Sequence, residues 1–204
     1  MTTTIGIILF ENAEELDWAG PWKVFTMATQ KNVLRAEAVD ARVVTIAEKR
    51  EVRNAKGLRV LVDHTFEDAP DLDVLVVPGG EGTRTEIQNP VLIDYLRKAG
   101  ERCTWVTSVC TGSMLLHGAG FAAGKRITTH WAFCSTLKEL APDATVLEGV
   151  RYVRDGNLVT AAGVSAGIDM ALWLVGQIWG VAHARQTQRF MEYDPAPPYS
   201  ADVQ

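Results

Sequence analysis

The sequence has few cysteines and no long apolar run. Its 204 residues include three cysteines, Cys103, Cys110 and Cys134, and no two of them are spaced as Cys-x-x-Cys. This low, odd number excludes the disulfide framework of small secreted proteins, and together with four scattered histidines it excludes a structural zinc site. The longest apolar stretch, Met170 to Ala182, contains Gln177 and is too short to span a bilayer.

A strong excess of either charge is also absent. The chain has 20 lysines and arginines against 25 aspartates and glutamates, and the net charge of −5 argues against nucleic acid or an anionic membrane as its main partner. The N-terminus lacks the basic start of a signal peptide and soon meets Glu11, Glu14 and Asp17. We therefore expect a cytoplasmic location.

The sequence does contain enough apolar residues for a large core. Hydrophobic residues make up 47% of the chain, and short apolar runs alternate with segments of helical periodicity. Strands are expected at 5–10, 41–47, 57–63, 72–77 and 104–108, and as a pair at 146–153 and 158–161. Helices are expected at 18–33 with Pro21 near the first turn, at 90–100 and 111–119, from Trp131 to about 140, and at 164–182. The alternation predicts one α/β domain over 1–204 with a mostly parallel central sheet, ending in an extended proline-rich tail at about 194–204.

Chemically interesting residues follow three of the predicted strands. Glu14 to Asp17 come after the first strand, Pro78 to Gly80 after the 72–77 strand, and Val109 to Ser113 after the 104–108 strand. Ligands of open α/β sheets bind beyond the carboxyl ends of the strands. The sequence therefore predicts that an acid, a glycine loop and a cysteine share one pocket.

Cys110 is the candidate nucleophile. It lies where a buried strand turns abruptly into a helix, as in a nucleophile elbow, although Gly-x-Ser-x-Gly itself is absent. The free N–H groups of a helix start favour a thiolate. We expect the N–H groups of Thr111 and Gly80 to stabilise developing negative charge, with Gly79 leaving room for a substrate. For Cys103 and Cys134 we favour a structural role in the core.

Several neighbouring residues have two interpretations. Asp17 is either an acid/base whose pKa is raised by burial beside the thiol, or the cap of the following helix. His130 is either a base for Cys110 or a helix cap. Trp18 and Trp131 flank the proposed site and are expected to line the pocket. We expect Glu14 to be solvated, and likewise its neighbour Glu15.

Six motifs resemble a known group of proteins. They cover nearly the whole chain in order: LDWAGP (16–21), VVPGGEG (76–82), VTSVCTGS (106–113), GKRITTHWA (124–132), VRDGNLVTAAGVSAGIDMAL (153–172) and EYDPAPP (192–198). By these motifs the sequence resembles the PfpI-like (class I glutamine amidotransferase-like) superfamily of cysteine α/β proteins, and within it the isocyanide hydratase branch.

The resemblance implies a fold, a reaction and a set of roles. It implies a flavodoxin-like three-layer sandwich, a homodimer, a small-molecule substrate, and no need for a cofactor or metal. Cys110 would be the nucleophile and Asp17 its acidic partner, with the N–H groups of Gly80 and Thr111 around the reacting atom. The implied reaction converts isocyanides to N-substituted formamides through a covalent thioimidate.

Departures from other branches leave two alternatives open. The protease branch has histidine directly after the cysteine, where this chain has Thr111, which argues against peptide hydrolysis. The glyoxalase-related branch has glutamate where this chain has Asp17; a glyoxalase acting on small 2-oxoaldehydes would use His130 to move a proton. Sensor domains of AraC-type regulators share the CTGS and TTHWA motifs, but this chain stops at Gln204, so we expect no DNA-reading module. A non-enzymatic sensor would instead depend on oxidation of Cys110.

Overall fold

The computed structural model describes residues 2–31 and 39–195. The strands are β1 (Thr3–Ile8), β2 (Ala41–Ala47), β3 (Glu51–Arg53), β4 (Arg59–Leu61), β5 (His64–Thr65), β6 (Val74–Val77), β7 (Trp105–Val109), β8 (Arg126–Ile127), β9 (Thr145–Val146), β10 (Tyr152–Asp155) and β11 (Leu158–Ala161). The helices are α1 (Glu15–Thr29), α2 (Thr83–Glu86), α3 (Pro90–Gly100), α4 (Gly112–Gly118), α5 (Cys134–Leu140), α6 (Ala166–Trp179) and α7 (Val181–Phe190), with a 3-10 turn at Trp131–Phe133.

The central sheet has seven strands in the order β10-β11-β7-β6-β1-β2-β5. Only the β10–β11 pair is antiparallel; the other neighbours run parallel. Strand β1 lies between two parallel neighbours, and Ile5, Ile7 and Ile8 are fully buried, as expected of a strand covered on both faces. The mostly parallel sheet predicted from the sequence is confirmed.

Two separate groups of helices cover the sheet. Helices α1, α6 and α7 contact one another and the sheet, whereas α3 and α4 contact each other and strands β6 and β7. This is the flavodoxin-like three-layer sandwich. Because β6 lies between β1 and β7, the three loops that follow these strands meet at one edge of the sheet. Among the described residues, no helix combines the length and the apolar character that crossing a membrane requires.

Several predicted elements differ from the observed ones. Helix α1 begins at Glu15, so Pro21 lies in its second turn, and Val33 lies outside the described residues. The predicted strand 57–63 is half of the β3–β4 hairpin, which stands apart from the central sheet. Periodicity detects an apolar face but does not say which sheet a strand joins.

Two other predicted elements are each divided into two in the structure. The predicted helix 164–182 is two helices, because Gly180 has a φ of +93° and breaks the hydrogen-bond ladder between α6 and α7. The predicted strand 146–153 contains the end of β9, which pairs with β8, and the start of β10. In the predicted tail, residues 196–204 lie outside the described residues.

Candidate active site

Cys110 lies in a sharp turn between strand β7 and helix α4. Its φ is +56°, a left-handed conformation that non-glycine residues rarely adopt, and its N–H donates to the carbonyls of Ala161 and Ala162 at 3.0–3.1 Å. A Cβ on Gly112 would lie 2.3 Å from the carbonyl oxygen of Val77, so the turn requires glycine there. The backbone of Cys110 is therefore held in a sparsely populated conformation.

A cavity of about 220 Å³ opens above this turn. It is lined by Glu14, Gly80, Glu81, Arg84, Cys110, Thr111, His130, Phe133 and Val164. The structure therefore brings Cys110, Thr111, Gly80 and His130 to one cavity, whereas Gly79, expected to leave room for a substrate, is not among its lining residues.

Asp17 is fully buried behind Cys110, in the first turn of α1. Its Oδ2 accepts a hydrogen bond from the N–H of Gly79 at 3.0 Å, whereas Oδ1 makes no hydrogen bond of good geometry with any described residue. The helix-cap interpretation is wrong, because the carboxyl bonds to the β6–α2 loop instead of the helix N-terminus. Burial raises the pKa of Asp17 to about 7; the N–H of Gly79 opposes this and the charge of Glu14 adds to it.

The surroundings of Cys110 work against ionisation of its thiol. Burial raises the pKa of Cys110 to about 12, the charge of Asp17 adds to this, and the N–H of Thr111 offsets only part of it. Desolvation therefore opposes the N–H groups of the helix start. That these N–H groups favour an ionised thiol stays a prediction. The carboxyl and the thiol each disfavour ionisation of the other, so near neutral pH the pair carries one negative charge at most.

The Gly79-Gly80 loop donates hydrogen bonds to the Asp17 carboxyl and to the Thr111 hydroxyl. The N–H of Gly79 is bonded to Asp17, so this residue orients the acid. The N–H of Gly80 donates to Oγ1 of Thr111 at 3.0 Å, and Thr83 Oγ1 lies 3.1 Å from the same oxygen. The expectation of a free Gly80 donor is wrong, because a hydroxyl on the neighbouring loop already accepts its hydrogen bond.

His130 lines the cavity, and its side chain caps the 3-10 turn. Its Nδ1 accepts a hydrogen bond from the N–H of Ala132 at 3.2 Å, at the start of the 3-10 turn, and this confirms the capping interpretation. Its ring packs against Gly163, where a Cβ would lie 2.1 Å from Cδ2. Among the described residues, no hydrogen bond joins His130 to Cys110.

Neither predicted tryptophan lines the cavity. Trp18 is buried, and its Nε1 donates to Oδ1 of Asn54 at 3.1 Å. Trp131 is 80% exposed and lies outside the cavity wall. Closeness in sequence to a site residue was a poor guide, since adjacent side chains in a helix or tight turn point in different directions.

Sequence reasoning missed the residues that do form the walls. The aromatic wall is Phe133, with the guanidinium of Arg84 stacked 4.9 Å from its ring centroid. Val164 has a φ of +48°, rare for a β-branched residue, and its N–H interacts with Asp17. Glu14 was expected to be solvated but lines the cavity. No local motif marks these positions, because they meet only through the tertiary fold.

Comparison with known proteins identifies the family. Residues 3–177 match the model of the DJ-1/PfpI family. The chain belongs to the DJ-1/PfpI family. It is 39% identical over 202 residues to an isonitrile hydratase of Pseudomonas putida, an alignment that covers 98% of this chain and 83% of that protein. Isonitrile is another name for isocyanide.

Two further relatives show the range of this family. A crystal structure of a ThiJ/PfpI family protein from Pseudomonas syringae superposes with a TM-score of 0.86 at 30% identity, covering all of this chain and 80% of that one. The transcriptional regulator CdhR of Pseudomonas aeruginosa is 33% identical over 138 residues, which are 67% of this chain and 40% of that protein. The DJ-1/PfpI fold is therefore found in both a hydratase and a regulator, so the function depends on the site.

Proposed function

We propose that this protein is a cofactor-independent hydratase that converts isocyanides to N-substituted formamides, with Cys110 as nucleophile and Asp17 as proton carrier. The observation that carries the proposal is the buried carboxyl of Asp17 beside the Cys110 thiol, at the floor of a cavity. The similarity to an isonitrile hydratase supports the choice of substrate.

The first step forms a carbon–sulfur bond. Ionised Asp17 takes the thiol proton while Sγ of Cys110 attacks the terminal carbon of R–N≡C, and one carbon–nitrogen π bond breaks. The carbon is left with a lone pair, which accepts the same proton back from Asp17. The product is the thioimidate Cys110–S–CH=N–R, and Asp17 is again ionised.

The second step hydrolyses this thioimidate. Asp17 accepts a proton from water as the water oxygen adds to the carbon, and Asp17 then passes this proton to the nitrogen. The carbon–sulfur bond then breaks, the carbonyl forms, and the sulfur leaves with the proton of the added hydroxyl. One water has been consumed, the product is R–NH–CHO, and the Asp17–Cys110 pair holds one proton as it did at the start.

The other site residues position this pair. Gly79 directs Oδ2 of Asp17, and Gly80 together with Thr83 fixes the hydroxyl of Thr111 at the cavity. The N–H of Thr111 is the donor left to stabilise charge on the sulfur. His130 shapes the wall as a cap, and Phe133 offers an apolar surface to the substituent R.

The test is turnover of a simple alkyl or aryl isocyanide by the purified protein. We expect N-substituted formamide from the wild type and none above background from Cys110→Ala, whereas the matched control Cys134→Ala stays active. Mass spectrometry of the protein quenched during turnover should show Cys110 carrying the mass of the substrate. Wild-type activity in Cys110→Ala would refute the mechanism.

The same samples separate the two alternatives. Conversion of methylglyoxal without turnover of any isocyanide would replace the proposal with the glyoxalase. No turnover of either substrate, with selective oxidation of Cys110 by mild peroxide, would favour the sensor. The raised pKa of the Cys110 thiol disfavours that last result, since the thiolate is the form that peroxide oxidises.

A further inference from the structure

Glu14 is a carboxylate that lines the same cavity. It directly precedes α1, and its side chain is only 25% exposed. Its N–H donates to the carbonyl of Gly79, the residue whose own N–H holds Asp17, and its carbonyl accepts from the N–H of Asp17 at 3.2 Å. Glu14 and Asp17 are therefore tied to each other and to the same loop.

Lys56 supplies the counter-charge from a different element. Its Nζ lies 3.6 Å from Oε2 of Glu14. It stands in the turn of the β3–β4 hairpin, and this turn is fastened to the α1 loop because Ala55 N–H donates to the carbonyl of Ala13 and Lys56 N–H donates to Oε1 of Glu15. The hairpin, which is outside the central sheet, thus places a cation beside the cavity.

The other charged groups around Asp17 have different positions or partners. Cys110 is the acid's own reaction partner, and Glu15 is bonded to the hairpin backbone. Glu81, Arg84 and His130 line the cavity from the α2 and 3-10 segments. On α6, which packs on α1, Asp169 is paired with Arg151.

We propose that Glu14 and Lys56 form a charge pair that sets the pH at which Asp17 loses its proton, and so the pH range of the reaction. The negative charge of Glu14 works against ionisation of Asp17, and Lys56 cancels part of that effect. The inference rests on the proposed function, because it assigns a role at the same site, but its first test does not use turnover.

The test is a ¹³C NMR titration of the Asp17 side-chain carboxyl, assigned by its disappearance in Asp17→Asn. We expect Glu14→Gln to lower the midpoint by about half a pH unit or more and Lys56→Gln to raise it, with the double variant near the wild type. A merely structural role would not give opposite shifts that cancel. The rise of kcat/KM with pH for an isocyanide should move by the same amounts.

The matched controls are Glu51→Gln and Arg59→Gln. These residues form another ion pair of the same hairpin, at 3.3 Å, and they do not line the cavity. We expect both variants to leave the Asp17 midpoint unchanged. Equal midpoints in all variants, or shifts of one sign in Glu14→Gln and Lys56→Gln, would overturn the inference even if isocyanides turn over. Opposite shifts in a protein that does not turn over isocyanides would support it and contradict the proposed function.

Discussion

At the scale of single residues, the site consists of two acids that compete for one proton. The carboxyl of Asp17 and the thiol of Cys110 are both buried, and each resists losing its proton while the other is charged. In the proposed reaction the Cys110 thiol gives its proton to Asp17 as the sulfur bonds to the substrate.

This pair predicts the pH dependence of the reaction. The reactive form has the thiol protonated and Asp17 ionised, so kcat/KM for an isocyanide should rise tenfold per pH unit below about 7 and level off above it. Steady-state kinetics between pH 5 and 9 would measure this. Asp17→Asn should lose about 100-fold or more on the plateau above pH 7, and its profile should lack the step near 7, so the difference from the wild type should shrink towards pH 5. A wild-type profile that falls across pH 7 would contradict the assigned roles.

At the scale of elements, the site depends on the close approach of two loops. The β6–α2 loop passes the β7–α4 turn so tightly that a Cβ on Gly79 would lie 2.5 Å from the nitrogen of Thr111 and 2.9 Å from Oδ2 of Asp17. Parallel strands β6 and β7 bring these loops together, and glycine allows them to touch. The hydrogen bonds of the site cross between loops, so each loop positions the other.

We therefore expect Gly79→Ala to damage the site more than the fold as a whole. The added methyl group must push Thr111 or Asp17 away, which should cost about 1–3 kcal/mol of stability and at least tenfold in kcat/KM. Gly124→Ala is the control: its φ of +68° is strained for alanine, but no atom lies within 4 Å of the new Cβ. It should cost about 1 kcal/mol and leave kcat/KM unchanged. Chemical denaturation and isocyanide kinetics on both variants would decide this.

At the scale of the whole molecule, the buried acid lowers the stability of the protein. The folded chain holds the Asp17 proton up to about pH 7, whereas an unfolded chain loses it near the ordinary aspartate pKa of 3.8. Between these values the unfolded state binds fewer protons than the native state. The contribution of Asp17 to the free energy of unfolding therefore falls as pH rises from about 4 to 7, and stays constant on either side.

Replacing the Asp17 carboxyl with an amide should remove this loss of stability. Asn accepts the same hydrogen bond from Gly79 without ionising, so Asp17→Asn should gain stability over the wild type as pH rises, by up to about 4 kcal/mol above pH 7. Urea unfolding of both proteins at pH 4, 5.5 and 8 would show the difference growing with pH. A constant difference between the two proteins would mean that the carboxyl titrates normally in the folded state.

Three expectations from the sequence concern the domain organisation, the oligomeric state and the cellular location of the protein. The single domain over 1–204, the homodimer and the cytoplasmic location expected from the sequence stay predictions. Analytical ultracentrifugation of the full chain would measure the oligomeric state directly.

The sequence by itself determined the fold class and the centre of the site. Short apolar runs alternating with helical periodicity require buried parallel strands, and local patterns such as Asn89-Pro90 mark helix starts that the structure confirms. Cys110, Asp17 and the Gly79-Gly80 loop could be predicted because each follows a strand, and parallel strands bring their carboxyl ends to one edge.

Only the tertiary structure decided the walls of the cavity and the charges within it. Phe133, Arg84 and Val164 are far apart in sequence or lie in short elements without periodicity, while Trp18 and Trp131, close to the site in sequence, point elsewhere. The raised pKa of the Cys110 thiol was also decided there, because desolvation depends on how many atoms from distant segments exclude water. That quantity is a property of the packed molecule and is not encoded in any local motif.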